Sequence, residues 1–220
     1  MSSDPFADAV RAAFRRGDNN AVLAMAGTEV DRARAAGEPA GEVEGLYAQS
    51  RVALRGGDLP GAETLAGQAL DVAIRSGDHA LEERPRHVLA AVARLNGDYP
   101  LAKERYLASI ALNRALGRSL DAELHNLAFT ELHLGNLSEA RELFRAVRDQ
   151  DGSLVPYLCV AAAAVASAEG DHARAARMLG LATAAFAAIG QVPDPDDALE
   201  LSSARTLAEE VLGVARFAEE

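Results

Sequence analysis

His125 and His133 lie on one predicted helix and are the residues of this sequence whose spacing most nearly suggests a metal site. They would share one helix face, but eight residues at 1.5 Å of rise put them about 12 Å apart along the axis. Both imidazoles therefore cannot bind one metal ion. The sequence also has no HExxH, GxSxG or CxxC motif and no GxGxxG motif after a strand. We expect no metal site, no cofactor and no catalytic activity.

The one cysteine, Cys159, lies in the most apolar segment of the chain, residues 155–168. Without a second thiol no intramolecular disulfide can form, which is typical of a cytoplasmic protein. The 14 residues of this segment are too few to cross a bilayer and are typical of a buried helix. The N-terminus has neither the basic flank nor the apolar stretch of a signal peptide. We therefore expect a cytoplasmic protein.

The net charge of -11 bears on the class of partner. Nucleic-acid backbones are bound through clustered Lys and Arg, and membrane surfaces are also anionic. An acidic chain is therefore not expected to bind either one directly. The hydrophobic content of 49% with 25% charged residues is typical of a globular protein with a sizeable core.

A regular series of glycines marks the elements that must position the polar side chains. Five glycines, each followed directly by Asp or Asn, lie 35 to 40 residues apart at Gly17, Gly57, Gly97, Gly135 and Gly170. A second set lies about midway, at Gly37, Gly77, Gly117, Gly152 and Gly190. A period of this length built from two halves predicts a repeat of helix pairs.

The glycine and acid pairs also predict how the helices are joined. Glycine just past a helix adopts the left-handed conformation that closes the last turn, and the adjacent Asp or Asn caps the next helix. One dipeptide can thus end one helix and begin the next, which leaves the two antiparallel. Pro60 and Pro100 fall in the first turn of such helices, where proline is tolerated. Pro85 falls inside the fifth predicted helix and should kink it or delay its start.

Apolar residues between the glycines recur with helical spacing, and no segment alternates as a strand does. The predicted class is therefore all-α, an α-solenoid of about five antiparallel helix pairs plus a C-terminal capping helix. We expect the repeats in residues 1–191 and the linker and capping helix in residues 192–220. The predicted helices span residues 5–16, 19–36, 40–56, 60–76, 79–96, 100–116, 120–134, 138–149, 154–169, 173–189 and 196–216.

Small residues recur at two fixed distances from the first set of glycines. They stand five residues after it, at Ala62, Ala102, Ala140 and Ala175, and seven before it, at Ser50, Ala90, Ala128 and Ala163. With the segments GDYPLAKERYLAS and GNLSEARELFRAV, this pattern resembles the tetratricopeptide repeat family. Residues 173–213 look like the repeat arm of large bacterial transcriptional regulators. The resemblance implies a right-handed solenoid that binds a protein or peptide in its concave groove.

In that family the first helix of each pair lines the concave face. The positions that match hold arginines, histidines, an asparagine and aromatics, with Glu44 as the one acidic residue in an acidic chain. Arginine can bind a carboxylate through two parallel hydrogen bonds, and asparagine can hold a peptide backbone. We therefore expect an acidic segment or a C-terminal carboxylate as ligand. The predicted groove residues are Tyr47, Arg51, Arg84, His87, Arg94, His125, Asn126, Phe129, His133 and Tyr157.

The leading hypothesis is a non-enzymatic adaptor, or the sensing part of a regulator, that binds a protein or peptide. One alternative is a self-associating scaffold, a homodimer formed through the small apolar residues of the fifth repeat, such as Val160, Ala161 and Ala164. The terminal helix could instead cover that patch. Another alternative is a small-molecule sensor whose pocket the terminal helix closes.

Overall fold

The structure, a computed structural model, describes residues 5–147 and 154–220, and these ranges form helices and no strand. The all-α class and the packing of helices in adjacent pairs are therefore confirmed. A short 3₁₀ helix covers His79–Glu82. The α-helices are α1 (Pro5–Arg15), α2 (Asn19–Ala36), α3 (Pro39–Arg55), α4 (Leu59–Ser76), α5 (Glu83–Leu95), α6 (Tyr99–Ala115), α7 (Asp121–His133), α8 (Leu137–Ala146), α9 (Val155–Ala168), α10 (His172–Ala188), α11 (Pro195–Leu212) and α12 (Val214–Glu219).

The helices form two compact units, and the division falls within α7, after Glu123. In the first unit α2 packs on α3, α3 on α4, α4 on α5, and α5 on α6. In the second unit α10 packs against both α9 and α11, and α11 also contacts α9. Each unit thus consists of helices that pack on their neighbours in the chain, as a repeat of helix pairs requires.

The glycine and acid pairs join the helices as predicted. Gly97 has a φ of +79°, and Oδ1 of Asp98 accepts a hydrogen bond from the amide of Leu101 at 3.1 Å. The same side-chain caps begin α2, α4 and α10, at Asp18, Asp58 and Asp171. Every other glycine of the two predicted sets that lies within the described residues also has a positive φ, and Gly152 lies outside them.

The start of α8 departs from this capping pattern. The side chain of Asn136 makes no cap, because its Nδ2 instead donates to Oε2 of Glu131 at 2.7 Å. The helix ends at Ala146, whereas the prediction extended it to residue 149. Residues 148 and 149 lie outside the described residues. The asparagine amide has both donor and acceptor atoms, and here its NH₂ group donates to a nearby carboxylate.

Two further helices differ from their predicted bounds. The proline at position 85 delays the start of its helix, as predicted: the 3₁₀ turn comes first, and α5 begins at Glu83 with Pro85 in its first turn. The predicted terminal helix 196–216 is wrong at its end, because Gly213 has a φ of +76° and divides it into α11 and the short α12. This glycine belongs to neither predicted set, and no Asp or Asn follows it as in the first set.

Small residues allow the helices of each pair to approach closely. Alanine and serine at the two repeating positions lose all contact with solvent, and a larger side chain would have to displace the neighbouring helix. Their relative exposure is 0% at Ser50, Ala62, Ala90, Ala102, Ala128, Ala140, Ala163 and Ala175. The small residues that repeat along the sequence therefore lie in the core of the fold.

Candidate functional site

A cleft in the first unit is the candidate binding site. It lies between α1, α3 and α5, is open to solvent and has a cavity volume of about 90 Å³. Its apolar lining comes mainly from α1, and its polar lining includes three arginines and one glutamate. The residues that line it are Phe6, Ala7, Val10, Arg11, Phe14, Val22, Glu44, Tyr47, Ala48, Arg51 and Arg84.

The floor of the cleft is held in place by Phe14, which is buried in the core of the first three helices. Nη1 of Arg55 donates to the backbone oxygen of Phe14 at 2.7 Å and to Oδ1 of Asn19 at 3.2 Å. The Arg55 guanidinium also lies 3.5 Å from the centre of the Phe14 ring. These contacts join α3 to the end of α1 and fix the ring that other cleft residues contact.

Two of the three arginines of the cleft lie over its aromatic rings. The guanidinium carbon of Arg51 lies 3.7 Å from the ring centre of Phe14 and 5.7 Å from that of Tyr47. That of Arg84 lies 5.3 Å from the Tyr47 ring centre. Cation–π contact favours a guanidinium over a ring face, and stacking limits the orientations of its planar fork. The predicted residues Tyr47, Arg51 and Arg84 are thus brought together in one site.

Two carboxylates lie beside these arginines. Glu44 of α3 forms an ion pair with Arg84 in the first turn of α5. Arg11 of α1 lies 3.5 Å from Asp8, and both of those side chains are half exposed. Asp8 does not line the cleft, so the lining keeps an excess of positive charge. Such an excess within an acidic chain attracts an anionic group to this place.

His87 lies in a different environment from the cleft arginines. Its Nδ1 is 3.1 Å from Oε1 of Glu123, and the hydroxyl of Ser109 donates to the same oxygen at 3.3 Å. The ring also meets Tyr106 edge to face at 6.1 Å. Burial alone would raise the pKa of Glu123, but the hydrogen bond and charge of His87 outweigh it and hold that pKa below its ordinary value. His87 therefore lies next to a buried carboxylate of its own chain.

Arg94 was predicted to face the groove, and the structure places it in the interior of the first unit. Its relative exposure is 2%, and it lies in α5 among buried apolar neighbours on the same helix, Val92 and Ala93. Its helical position is as predicted. The number of residues between a side chain and the repeat glycine predicts the helix face on which that side chain lies. It does not predict which other segments of the chain cover that face.

The remaining predicted residues lie in the second unit, where several of them form one cluster. His125, Asn126 and Phe129 are buried in α7. The His125 ring meets Phe129, Phe144 and Tyr157 edge to face, with centroid separations of 4.9, 5.7 and 6.2 Å. The structure therefore brings His125, Phe129 and Tyr157 together as a largely interior cluster, whereas His133 is exposed on the same helix.

Acidic residues of α11 cover this cluster, and the sequence did not predict their place. Nε2 of His125 lies 2.9 Å from Oδ1 of Asp197, and Nε2 of His133 lies 3.0 Å from Oε1 of Glu200. Both carboxylates are buried, as is Asp196. Burial raises the pKa of Asp197 to about 6, although the charge of His125 opposes this shift. The first turns of α11 thus contact residues that were predicted to bind a ligand.

The small apolar face of α9 is also covered. Val160 and Ala161 are buried in a cluster to which Leu201 of α11 contributes. Ala164 of the same face is only partly buried, so α11 covers part of this face through Leu201. The cover is built by the same helix that supplies Asp197 and Glu200.

The part of the chain that the structure describes has neither a metal cluster nor a membrane-spanning helix. No group of three or more His, Cys, Asp or Glu side chains there is placed to hold a metal ion. None of the helices in residues 5–147 and 154–220 combines the length and apolarity needed to cross a membrane.

Comparison with known proteins identifies the fold but no family. No protein-family model and no curated protein sequence matches the chain. Among solved structures, BtubC (BKLC) from P. vanneervenii is similar, with a TM-score of 0.61 and 20% identity over 91% of this chain and 87% of that one. Rap protein in complex with Competence and Sporulation Factor has a TM-score of 0.67 and 15% identity. This match covers 96% of the present chain and only 60% of the Rap chain.

Proposed function

We propose that this chain is a non-enzymatic helical-repeat module that binds an acidic segment of a protein or peptide in the cleft between α1, α3 and α5. The observation that carries the proposal is the position of Arg11, Arg51 and Arg84 around an aromatic floor, in a chain of net charge -11. Arginine on a ring face is suited to binding a planar carboxylate through two hydrogen bonds. The cleft therefore supports recognition of a carboxylate, including the one at a peptide C-terminus.

The size and lining of the cleft support a short ligand segment. Its volume of about 90 Å³ is below the roughly 300–1,000 Å³ of pockets that enclose a whole small molecule, so the cleft suits one or two side chains of a longer segment. Phe6, Val10 and Phe14 offer an apolar wall beside the arginines. If an acidic group of the ligand binds Arg51, the neighbouring apolar side chain of the ligand would contact that wall. The ligand we infer thus combines a carboxylate with an adjacent aliphatic or aromatic residue.

The structural comparison supports a binding role. Rap, whose fold this chain shares over 60% of the Rap chain, was solved in complex with Competence and Sporulation Factor. The likeness concerns the fold alone, so we transfer only the idea that such a stack of helices can hold a partner. By the same reasoning and the resemblance to regulator repeat arms, we propose a regulatory or adaptor role in the bacterial cytoplasm.

Selection from a random peptide library with free C-termini tests the proposal. Peptides enriched on the parent protein should carry Asp, Glu or a terminal carboxylate beside an apolar residue. The variant Arg11→Gln/Arg51→Gln should lose them, and it leaves the ion pair of Arg84 with Glu44 in place. The control variant Arg75→Gln/Arg114→Gln makes the same charge change at exposed positions that do not line the cleft, and it should retain them. Enrichment of basic peptides would contradict the proposal.

A second candidate function, self-association, has one favourable observation. Leu199, Leu207 and Val211 of α11 are exposed apolar side chains, with relative exposures of 45%, 40% and 55%. Their spacings of eight and four residues place them along one side of the helix. Light scattering at micromolar concentration would show a dimer if this side is an interface, and Leu207→Glu would then return the protein to a monomer.

A further inference from the structure

The N-terminal turns of α11 bury three carboxylates in the second unit. Asp196, Asp197 and Glu200 have relative exposures of 8%, 4% and 6%. Taking a carboxylate out of water is unfavourable unless a partner compensates for the loss of hydration. Here the partners include His125 and His133, two turns apart on α7. The start of α11 is therefore held by polar pairs as well as by apolar packing.

The apolar contacts of α11 are comparatively small. Ala204 and Ala208 are its buried apolar residues, and Leu201 is partly buried against α9. Alanine buries much less apolar area than leucine or phenylalanine, so these contacts stabilise α11 less than a large apolar face would. The polar pairs with α7 thus add to the packing of α11 on α9 and α10.

The connection that precedes α11 makes it separable from the stack. Residues 189–194 lie between α10 and α11 and are not helical, and Pro193 lies within them. The Asp194 side chain, at the N-cap of α11, makes no capping hydrogen bond to it. In α4, α6 and α10 a capping carboxylate instead directly follows the glycine that ends the preceding helix. The start of α11 is therefore not joined to the end of α10 by a shared cap.

We propose that the α7 face formed by His125, Asn126 and His133 is a second binding surface, which recognises an acidic helix of a partner protein and which α11 occupies in cis. The expected partner helix carries two carboxylates three residues apart, as Asp197 and Glu200 are. Imidazole nitrogens that already lie within hydrogen-bond distance of two carboxylates supply hydrogen-bond complementarity for such a segment. This surface is separate from the cleft of the first unit and does not depend on the function proposed for it.

Because α11 occupies this surface, a partner can bind only by displacing α11. A tethered segment has an effective concentration on the order of millimolar, so α11 outcompetes an external helix of equal intrinsic affinity. Weakening the cis contacts should therefore raise the apparent affinity for an external acidic helix. A partner with stronger carboxylate contacts would displace α11 in the same way.

A synthetic peptide of residues 192–212 with an N-terminal fluorescein is the probe, and fluorescence anisotropy measures its binding to the full chain. The variant Asp197→Asn/Glu200→Gln should bind this peptide at least tenfold more tightly than the parent. A peptide carrying the same two substitutions should not bind to the variant. If parent and variant bind the probe equally, or the variant does not bind it, the proposal is wrong.

A second measurement uses the unaltered chain and does not depend on how the variant folds. In native-state hydrogen exchange, the amides of Leu201–Leu212 should have protection factors at least tenfold lower than those of α9 and α10, because α11 opens separately. Equal protection of the three helices would overturn the proposal. The variant Arg11→Gln/Arg51→Gln, combined with Asp197→Asn/Glu200→Gln, should bind the probe as tightly as Asp197→Asn/Glu200→Gln alone. Loss of binding there would place the probe in the first-unit cleft and would also contradict a second surface.

Discussion

Nε2 of His125 lies 2.9 Å from Oδ1 of Asp197, a residue 72 positions later in the chain, and both side chains are buried. With one proton between them the pair is neutral overall, whether the imidazole or the carboxyl group carries it. Loss of that proton leaves a buried negative charge near Asp194 and Asp196. The attachment of α11 to α7 should therefore depend on pH.

The stability of the protein should fall as the pH rises through about 6. Burial raises the pKa of Asp197 from 3.8 to about 6; His125 lowers it, while Asp196 and Asp194 raise it further. The folded state thus holds this proton more tightly than the unfolded chain does. Its contribution is complete below about pH 4 and is lost as the pH passes 6, with an upper limit of about 3 kcal/mol. Asp197→Asn removes this titration and should flatten the profile between pH 4.5 and 7.

Urea unfolding followed by circular dichroism at several pH values measures this difference. The control is Asp71→Asn, which removes an exposed carboxylate of α4 and should leave the slope of the parent unchanged. If Asp197→Asn loses stability with pH as steeply as the parent, another group is responsible.

The shared caps should contribute measurably to stability. Asp98→Ala removes the acceptor of the Leu101 amide hydrogen bond and should lower the free energy of unfolding by about 1 kcal/mol. Gly97→Val should lower it further, because a β-branched residue resists the φ of +79° found there. Thermal melting of the two variants checks this order. Melting temperatures equal to that of the parent would refute the role of the pair.

Two glycines inside helices should respond oppositely to substitution by alanine. A Cβ at Gly67 of α4 would meet no atom within 4 Å, so Gly67→Ala should stabilise the helix by about 0.5–1 kcal/mol. A Cβ at Gly45 of α3 would lie 2.6 Å from Cγ2 of Val30 and 3.0 Å from the backbone oxygen of Ala26. Gly45→Ala should therefore destabilise the protein by forcing α2 and α3 apart. Chemical denaturation of both variants tests this contrast, and changes of the same sign would contradict it.

The helices could be predicted from the sequence because their ends are encoded locally. Gly97 and Asp98 end α5 and begin α6 by contacts within a few residues, and the neighbouring small residues repeat at fixed distances. The break at Gly213 was missed because that glycine belongs to neither of the two regularly spaced sets. A helix end marked by a glycine and a capping residue can thus be predicted from a single sequence. A glycine without a capping residue does not by itself show whether a helix ends there.

The candidate site could be predicted only in part because burial depends on residues distant in sequence. Tyr47, Arg51 and Arg84 were selected by helix position, and they do meet in one cleft. The contribution of α1, including Arg11, was missed because the repeat pattern fades there. The positions of Asp197 and Glu200 were also missed, since acidic residues near prolines usually indicate an exposed linker. Only the packing of α11 shows that these carboxylates face histidines.

The most direct test of the central claim is the dissociation constant of a selected acidic peptide for the parent and for Arg11→Gln/Arg51→Gln. Two charge-assisted contacts are lost in this variant, so binding should weaken by about thirtyfold or more. Arg75→Gln/Arg114→Gln should change the constant by less than about twofold, because distant surface charges are screened by salt. Unaltered binding by Arg11→Gln/Arg51→Gln, or an equal loss in both variants, would contradict recognition of a carboxylate in the cleft.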